Sequence, residues 1–237
     1  MRPPHDVTGD PTPDDQGPLS ELPILDDLAL VDDPQAWPVV ASDQLATGRK
    51  TGYKSDQVRT PDGELINREY LQHPGAVGVI ALDDHDRIVL VRQYRHPVRH
   101  RLIEPPAGLL DNGDEDYLVG AQRELAEEVG LAARDWRVLV DLFTSPGISS
   151  ESLRVYLARD LAAAPLPDGF VPHAEEAHMD VVRASLDDLV QAVLEGRLHN
   201  PTLVAGVLAA WAARTRDGLD DLRPADAPWP AREASRA

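Results

Sequence analysis

The stretch that decides the fold runs over residues 108–131 and reads GLLDNGDEDYLVGAQRELAEEVGL. Its apolar residues recur every three or four positions, which is the spacing of one buried helix face: Leu118, Ala121, Leu125 and Val129. The spacing predicts a helix over residues 116–129. Gly130 follows directly, and a glycine there can adopt the left-handed conformation that ends many helices.

A second face of this predicted helix carries Glu124, Glu127 and Glu128. The three carboxylates converge within one turn, and each like-charge pair disfavours the helix by roughly a few tenths of a kcal/mol. Most glutamate-rich faces are simply solvated, so the triplet alone decides little. Carboxylate oxygens are also the ligands that Mg²⁺ and Mn²⁺ prefer, and such ions neutralise and polarise a bound diphosphate.

The residues around this triplet resemble the Nudix box, the signature segment of the Nudix hydrolase family. That pattern is a glycine, five residues, a glutamate, seven residues, and then Arg-Glu-apolar-x-Glu-Glu-x-Gly-apolar. The matching positions are Gly108, Glu115, Arg123, Glu124, Leu125, Glu127, Glu128, Gly130 and Leu131. The sequence departs from the pattern at one place, since six residues rather than five separate Gly108 from Glu115.

The resemblance implies an α+β fold, the Nudix α/β/α sandwich with a mixed sheet and a catalytic loop–helix–loop. It also implies a bound Mg²⁺ or Mn²⁺. The implied ligands are Glu124 and Glu128 as the principal pair, Glu127 as an additional ligand, and the carbonyl of Ala107. Arg123 would pair with Glu115 and hold the segment together without touching the substrate.

Residues outside the box resemble the ADP-ribose pyrophosphatase branch of the family. Residues 104–108 read EPPAG, similar to the Glu-Leu-Pro-Ala-Gly lead-in of that branch, and residues 92–95 read RQYR at the end of a predicted strand. Pro146 lies sixteen residues after Gly130, near the distance that marks ADP-ribose and ADP-sugar pyrophosphatases. Arg95 would then clamp the diphosphate, for which a planar guanidinium is well suited. Glu104 would hydrogen-bond near the metal or the terminal ribose.

The expected reaction is hydrolysis of the diphosphate bond of ADP-ribose, or of a related ADP-sugar, to AMP and ribose 5-phosphate. Two alternatives stay open. Another nucleoside diphosphate derivative, GDP-mannose or a diadenosine polyphosphate, would use the same chemistry, because base-recognition residues cannot be identified from one sequence. The other alternative is a non-catalytic nucleotide-sugar sensor, although such modules usually lose glutamates that this box retains.

A catalytic base is expected outside the helix, because the glutamates of the box are engaged with the metal. Residues 173–178 read HAEEAH and resemble the Glu-Glu loop of the ADP-ribose branch. A carboxylate within hydrogen-bond reach of the attacking water can accept its proton. We predict that Glu176 is this base, with Glu175 as the alternative and Glu151 as a weaker candidate.

Members of this branch form homodimers that exchange their N-terminal strands and hold adenine at the dimer interface. The resemblance therefore implies that this chain is a homodimer acting on a nucleoside diphosphate sugar, and that residues 44–72 cross to the partner. Residues of this segment that would contribute to the substrate site are Tyr53, Arg59 and Arg68.

Away from the box, strand-like and helix-like patterns alternate. Strands are predicted at residues 57–59, 65–71, 77–82, 88–94, 136–143, 152–158 and 179–184. A helix is predicted over residues 187–195, ending at Gly196, and helical spacing of leucine, valine and alanine extends over residues 189–213. The Nudix domain is expected to span residues 44–216. A disordered tail rich in proline and aspartate is expected at residues 1–43, and a flexible tail at 217–237.

The composition limits the kinds of partner that the chain is expected to bind. A formal net charge of -18 argues against nucleic acid, because phosphate backbones are held mainly by lysine and arginine. No apolar run approaches the roughly 18 residues that span a bilayer, so no membrane partner is expected. The sequence contains no cysteine, which excludes a cysteine nucleophile and a thiolate zinc site. The expected location is the cytoplasm.

Overall fold

A computed structural model describes residues 22–23, 25–110, 115–165, 179–216 and 218–236. Its strands, in chain order, are β1 (Val39–Thr47), β2 (Gly52–Arg59), β3 (Leu65–Gln72), β4 (Ala76–Leu82), β5 (Arg87–Arg95), β6 (His100–Glu104), β7 (Ala107–Leu109), β8 (Leu131–Phe143), β9 (Ser152–Ala163), β10 (Asp180–Ser185) and β11 (Arg223–Pro224). Its helices are α1 (Tyr117–Val129), α2 (Leu186–Leu194), α3 (Pro201–Arg216) and α4 (Pro230–Arg236), with short 3-10 turns at Asp27–Ala29 and Leu219–Asp221. None of the described helices is both long enough and apolar enough to cross a membrane.

The predicted helix of the box is α1, and both of its ends are capped. The carboxylate of Asp116 accepts a hydrogen bond of 2.8 Å from the amide of Leu118, which satisfies one of the free N–H groups of the first turn. At the other end Gly130 adopts a left-handed conformation with φ of 64°. The predicted cap is confirmed, and the carboxylates of the box therefore lie on a helix with fixed ends.

The central sheet is mixed. Its strand order is β10-β5-β4-β9-β8-β11, with β6 paired to β5 and β7 paired to β4. The β4–β9 pair is parallel, and the other pairs are antiparallel. The mixed sheet agrees with the fold expected from the sequence.

Alternate residues of the buried strand β4 contribute to two separate cores, because successive side chains of a strand point to opposite faces. The cluster on the α1 face includes Val77, Val79, Ala121 and Leu125. The cluster on the other face includes Ile80, Leu82, Leu186 of α2 and Leu203 of α3. Helices therefore cover both faces of the sheet, and the predicted α/β/α sandwich is confirmed.

Strands β1, β2 and β3 form a separate antiparallel sheet. The hairpin predicted around residues 61–63 is present, since Arg59 pairs with Leu65. Strand β1 was not predicted and begins at Val39, so the expected domain start at residue 44 lies within a strand. The reason is that every residue of β1 is exposed, which removes the buried–exposed alternation on which a strand prediction depends.

The expectation of a flexible tail at 217–237 is wrong for residues 218–236. Strand β11 pairs with β8, and Ala227 and Arg232 are buried. The indole of Trp229 packs against Tyr117 of α1 and Phe143 of β8, with ring centroids 5.8 and 5.7 Å apart. A few aromatic and cationic side chains therefore order a segment whose composition resembles a linker.

Candidate active site

Helix α1 approaches strand β7 very closely. A Cβ atom at Gly108 would overlap the carboxylate of Glu124, so a side chain at this position would displace that carboxylate. One residue earlier, the amide of Ala107 donates a 2.9 Å hydrogen bond to Glu128 Oε2. Both predicted principal ligands therefore face the backbone of β7.

Arg123 lies between three carboxylates of this segment. Its Nε and Nη2 donate to the two oxygens of Glu115 at 3.0 and 3.1 Å. Its Nη1 donates to Glu124 at 2.6 Å and to Glu127 at 3.0 Å, and Nη2 also donates to the carbonyl of Leu109 at 3.3 Å. The hydrogen bonds that Arg123 donates to Glu115, followed by the charge of Glu124, raise the pKa of Arg123, so this guanidinium stays charged and fixes the box as a unit.

The carboxylates of Glu124 and Glu128 lie in a poorly solvated place. Burial raises the pKa of Glu128 to about 8. The negative charges of Glu124 and Glu104 also raise this pKa, whereas the hydrogen bond from the Ala107 amide and the charge of Arg95 lower it. Burial also raises the pKa of Glu124, although Arg123 opposes the shift. Two clustered carboxylates of this kind favour a bound cation, which would stabilise their charged forms.

Arg95 and Glu104 lie on neighbouring strands β5 and β6 and form a bidentate ion pair. Arg95 Nη2 lies 2.6 Å from Glu104 Oε2, and Arg95 Nε lies 3.0 Å from Oε1. Gln93 Nε2 donates to the same carboxylate at 3.0 Å. Both members of this pair influence Glu128, since the charge of Arg95 lowers the pKa of Glu128 and that of Glu104 raises it.

Other predicted site residues lie elsewhere. Tyr53, Arg59 and Arg68 belong to the β1–β3 sheet, where Tyr53 donates to Glu69 at 3.0 Å and the two arginines donate to nearby carbonyls. Glu151 accepts from Thr144 and lies 3.6 Å from His73; among the described residues, these contacts link it to the end of β3 and not to α1. Glu175 and Glu176 lie outside the described residues.

The amino-acid sequence did not identify Gln93 as a site residue. The side chain of Gln93 is buried against Glu104, two positions before Arg95 on the same face of β5. The alternation of β5 was the available signal, because residues i and i+2 of a strand point the same way.

Comparison with known proteins identifies the family. A family model described as the NUDIX domain matches residues 72–204. The chain belongs to the Nudix family. The matched residues include strand β4, the box on α1 and the first residues of α3.

This Nudix protein is 45% identical over 190 residues to the ADP-ribose pyrophosphatase of Mycobacterium tuberculosis, an alignment that covers 80% of this chain and 89% of that protein. It is 35% identical over 168 residues to the methanol dehydrogenase activator of Bacillus methanolicus, covering 71% of this chain and 89% of that protein. A crystal structure of an ADP compounds hydrolase matches 79% of this chain and 99% of its own with a TM-score of 0.61 and 23% identity. That structure supports the fold, and the chain is a Nudix hydrolase, an enzyme that cleaves diphosphate bonds.

Nudix hydrolases generally require a divalent metal, and the residues of this site fit one. The donor set consists of carboxylates and a backbone carbonyl, which are the hard oxygen ligands of such ions. Among the described residues, no group of three acidic or histidine side chains is arranged to hold a metal ion in this structure, and Arg123 donates to both Glu124 and Glu127. The glutamates that would hold the ion are thus present, with Arg123 supplying the positive charge between two of them.

Proposed function

We propose that this Nudix hydrolase cleaves the diphosphate bond of ADP-ribose, or of a closely related ADP-sugar, to give AMP and ribose 5-phosphate. The observation that carries the proposal is the similarity to an ADP-ribose pyrophosphatase along 80% of the chain, which includes the whole box. The Arg95–Glu104 pair supports it, because it holds an anion-binding guanidinium whose charge lowers the pKa of Glu128.

The residue roles that we propose are those that the resemblance to the family implies. Glu124 and Glu128, with Glu127 and the carbonyl of Ala107, would hold Mg²⁺ or Mn²⁺. A bound ion of this kind neutralises the diphosphate and lowers the pKa of a bound water. Arg95 would bind and orient the diphosphate through its remaining donors. Glu176, or else Glu175, would accept the proton of the attacking water.

We also propose a homodimer that buries the β1–β3 sheet. The support is the number of apolar side chains that this sheet leaves exposed, with Val39 54%, Leu45 51% and Leu65 45% exposed, since exposed apolar surface marks interaction sites. Sedimentation of the full chain should give a dimer, and a monomer at micromolar concentration would refute this assembly. The cytoplasmic location stays a prediction.

A panel of substrates tests the reaction. ADP-ribose is set against GDP-mannose, NADH, diadenosine tetraphosphate and coenzyme A, with Mg²⁺ and with Mn²⁺, and the products are separated by chromatography. The highest kcat/KM should be found for ADP-ribose. Faster cleavage of GDP-mannose or diadenosine tetraphosphate would keep the chemistry and replace the substrate. Tight binding of ADP-ribose without cleavage of any compound would favour the sensor.

A further inference from the structure

The C-terminal segment, residues 223–236, contacts the helix that carries the metal-binding glutamates. Trp229 packs at a tilt against Tyr117, which is the first residue of α1. Beneath both rings lies the guanidinium of Arg154, at 5.4 Å from the centroid of Tyr117 and 5.5 Å from that of Trp229. A cation between two aromatic faces is attracted to both, so β9, α1 and the C-terminal segment are joined at one point.

Arg154 is fixed in this position. Its side chain is 5% exposed, and its Nε and Nη2 donate to the carboxylate of Asp141 at 2.7 and 3.0 Å. Its Nη1 donates at 2.8 Å to the carbonyl of Ala227. The C-terminal segment therefore rests on a buried ion pair of the central sheet.

Arg232 connects the C-terminal segment to the start of α1 and, through the backbone of residues 74 and 75, to the residue that follows β7. Its Nε donates to the hydroxyl of Tyr117, where α1 begins, and its guanidinium lies over that ring, 5.5 Å from the centroid. Its Nη2 donates to the carbonyl of Pro74 at 2.9 Å, next to Gly75, whose own carbonyl accepts from Leu110 at 3.0 Å. Leu110 directly follows β7, so Arg232 bridges the end of β7 and the start of α1.

This bridge allows little room for movement. Arg232 is 6% exposed, and a Cβ atom at Gly75, which has φ of 107°, would lie 2.9 Å from Arg232 Nη2. The carboxylate of Glu124 lies directly against β7, because a Cβ at Gly108 would overlap it. A small shift of the first turn of α1 would change the distance between Glu124 and the backbone of β7.

We propose that Arg232 is a positioning residue for diphosphate hydrolysis. It fixes the register of α1 against β7 and thereby the distance between the metal-binding carboxylates and the carbonyl of Ala107. The C-terminal segment is then part of the catalytic apparatus of this chain although it touches neither metal nor substrate. This inference rests on the proposed metal-dependent hydrolysis.

The test uses the full chain with three substitutions. Arg232→Ala removes the bridge, and Tyr117→Phe removes only the hydroxyl to which Arg232 donates. Arg214→Ala is the matched control, since Arg214 makes two ion pairs with Asp86 and Asp187 in the α2–α3 region and none with α1. For each variant, kcat, KM, the Mg²⁺ concentration at half-maximal rate and the hydrogen exchange of amides 117–124 are measured well below the melting temperature.

We expect Arg232→Ala to lower kcat by about 10- to 100-fold, as a displacement near 1 Å can do, to raise the half-saturating Mg²⁺ concentration, and to leave KM nearly unchanged. Amides 117–124 should exchange faster than in Arg214→Ala. Tyr117→Phe should change kcat, the half-saturating Mg²⁺ concentration and the amide exchange in the same directions but by smaller amounts. If Arg232→Ala does not fold, the result for Tyr117→Phe decides whether the positioning role is correct. A lower melting temperature with kcat, Mg²⁺ dependence and exchange equal to the control would overturn the inference. Absence of hydrolysis in the wild type would instead refute the proposed function. The exchange of amides 117–124 would then still show whether Arg232 holds the start of α1 in place.

Discussion

The carboxylate of Glu104 is almost completely buried and holds Arg95 by two hydrogen bonds, with Arg95 Nη2 2.6 Å and Nε 3.0 Å from its oxygens. Glu104 is 1% exposed, whereas the side chain of Arg95 is 39% exposed. A fixed carboxylate thus orients a guanidinium that solvent, or a ligand, can still reach. Such preorganisation lowers the entropy cost of binding an anion.

Arg95→Ala should lower kcat/KM for ADP-ribose by about 10- to 100-fold, because a charge-assisted hydrogen bond to the diphosphate contributes about 1.5–3 kcal/mol. Steady-state kinetics of purified protein measures this. Arg92→Ala is the control, since Arg92 lies on the same strand with its side chain 44% exposed and only a 4.0 Å contact to Asp180. Equal kcat/KM values for the two variants would show that Arg95 does not bind the substrate.

Glu124→Gln and Glu128→Gln should each lower kcat by at least about 100-fold, because each removes a charged ligand of the ion. Glu127→Gln should have the smaller effect, since Glu127 is predicted to be only an additional ligand. Removal of metal with EDTA should abolish activity, and Mg²⁺ should restore it. Full activity of Glu128→Gln in EDTA would contradict the assignment of ligands.

Gly108→Ala should lower kcat by about 100-fold, because the new methyl group overlaps the carboxylate of Glu124 and forces it away from β7. The loss should exceed the change in stability, so circular dichroism and thermal unfolding are recorded beside the kinetics. Wild-type kcat in this variant would show that the close approach of α1 to β7 has no catalytic importance.

Glu176→Gln should lower kcat by about 100- to 10,000-fold, as expected for loss of a general base, while the affinity for Mn²⁺ measured by calorimetry stays close to that of the wild type. Glu175→Gln is the matched comparison from the neighbouring position. If Glu175→Gln shows the larger loss, the base is Glu175 instead.

Asp141→Asn should destabilise the fold by about 3–5 kcal/mol, because it leaves the buried guanidinium of Arg154 without its carboxylate. Urea unfolding measures the change in the free energy of unfolding. Asp160→Asn serves as the control, since the Arg134–Asp160 pair has exposed side chains and such pairs contribute about 0–1 kcal/mol. Similar losses in the two variants would show that the Arg154 stack does not anchor the C-terminal segment.

Much of the fold could be predicted, because many of its helices and strands have a residue pattern that is visible within a short stretch of sequence. Helix α1 has its apolar stripe and its Gly130 cap, and β4 and β5 are rich in β-branched residues. Strand β6 was missed because its residues are mostly polar and it pairs only with β5. The C-terminal segment was predicted wrongly, because Trp229 and Arg232 are ordered by contacts with Tyr117 and Pro74, which lie more than a hundred residues earlier in the chain.

The residues of the candidate site also fall into those that the sequence predicts and those that it does not. The glutamates of the box and Arg123 could be found because their spacing on one helix brings them together, and Glu115 could be found because it matches the box pattern just before that helix. The joint role of Gln93, Glu104 and Arg95 could not be predicted in full, because it depends on the pairing of β5 with β6. The contributions expected from Arg59 and Arg68 remain predictions, since they require a second copy of the chain.

The most direct test compares release of AMP from ADP-ribose by the wild type and by Glu124→Gln, with Mg²⁺ present and both proteins shown to be folded. We predict that the wild type forms AMP and ribose 5-phosphate in equal amounts and that the variant forms them at least about 100-fold more slowly. Equal rates for the two proteins, or no AMP from the folded wild type, would contradict the account.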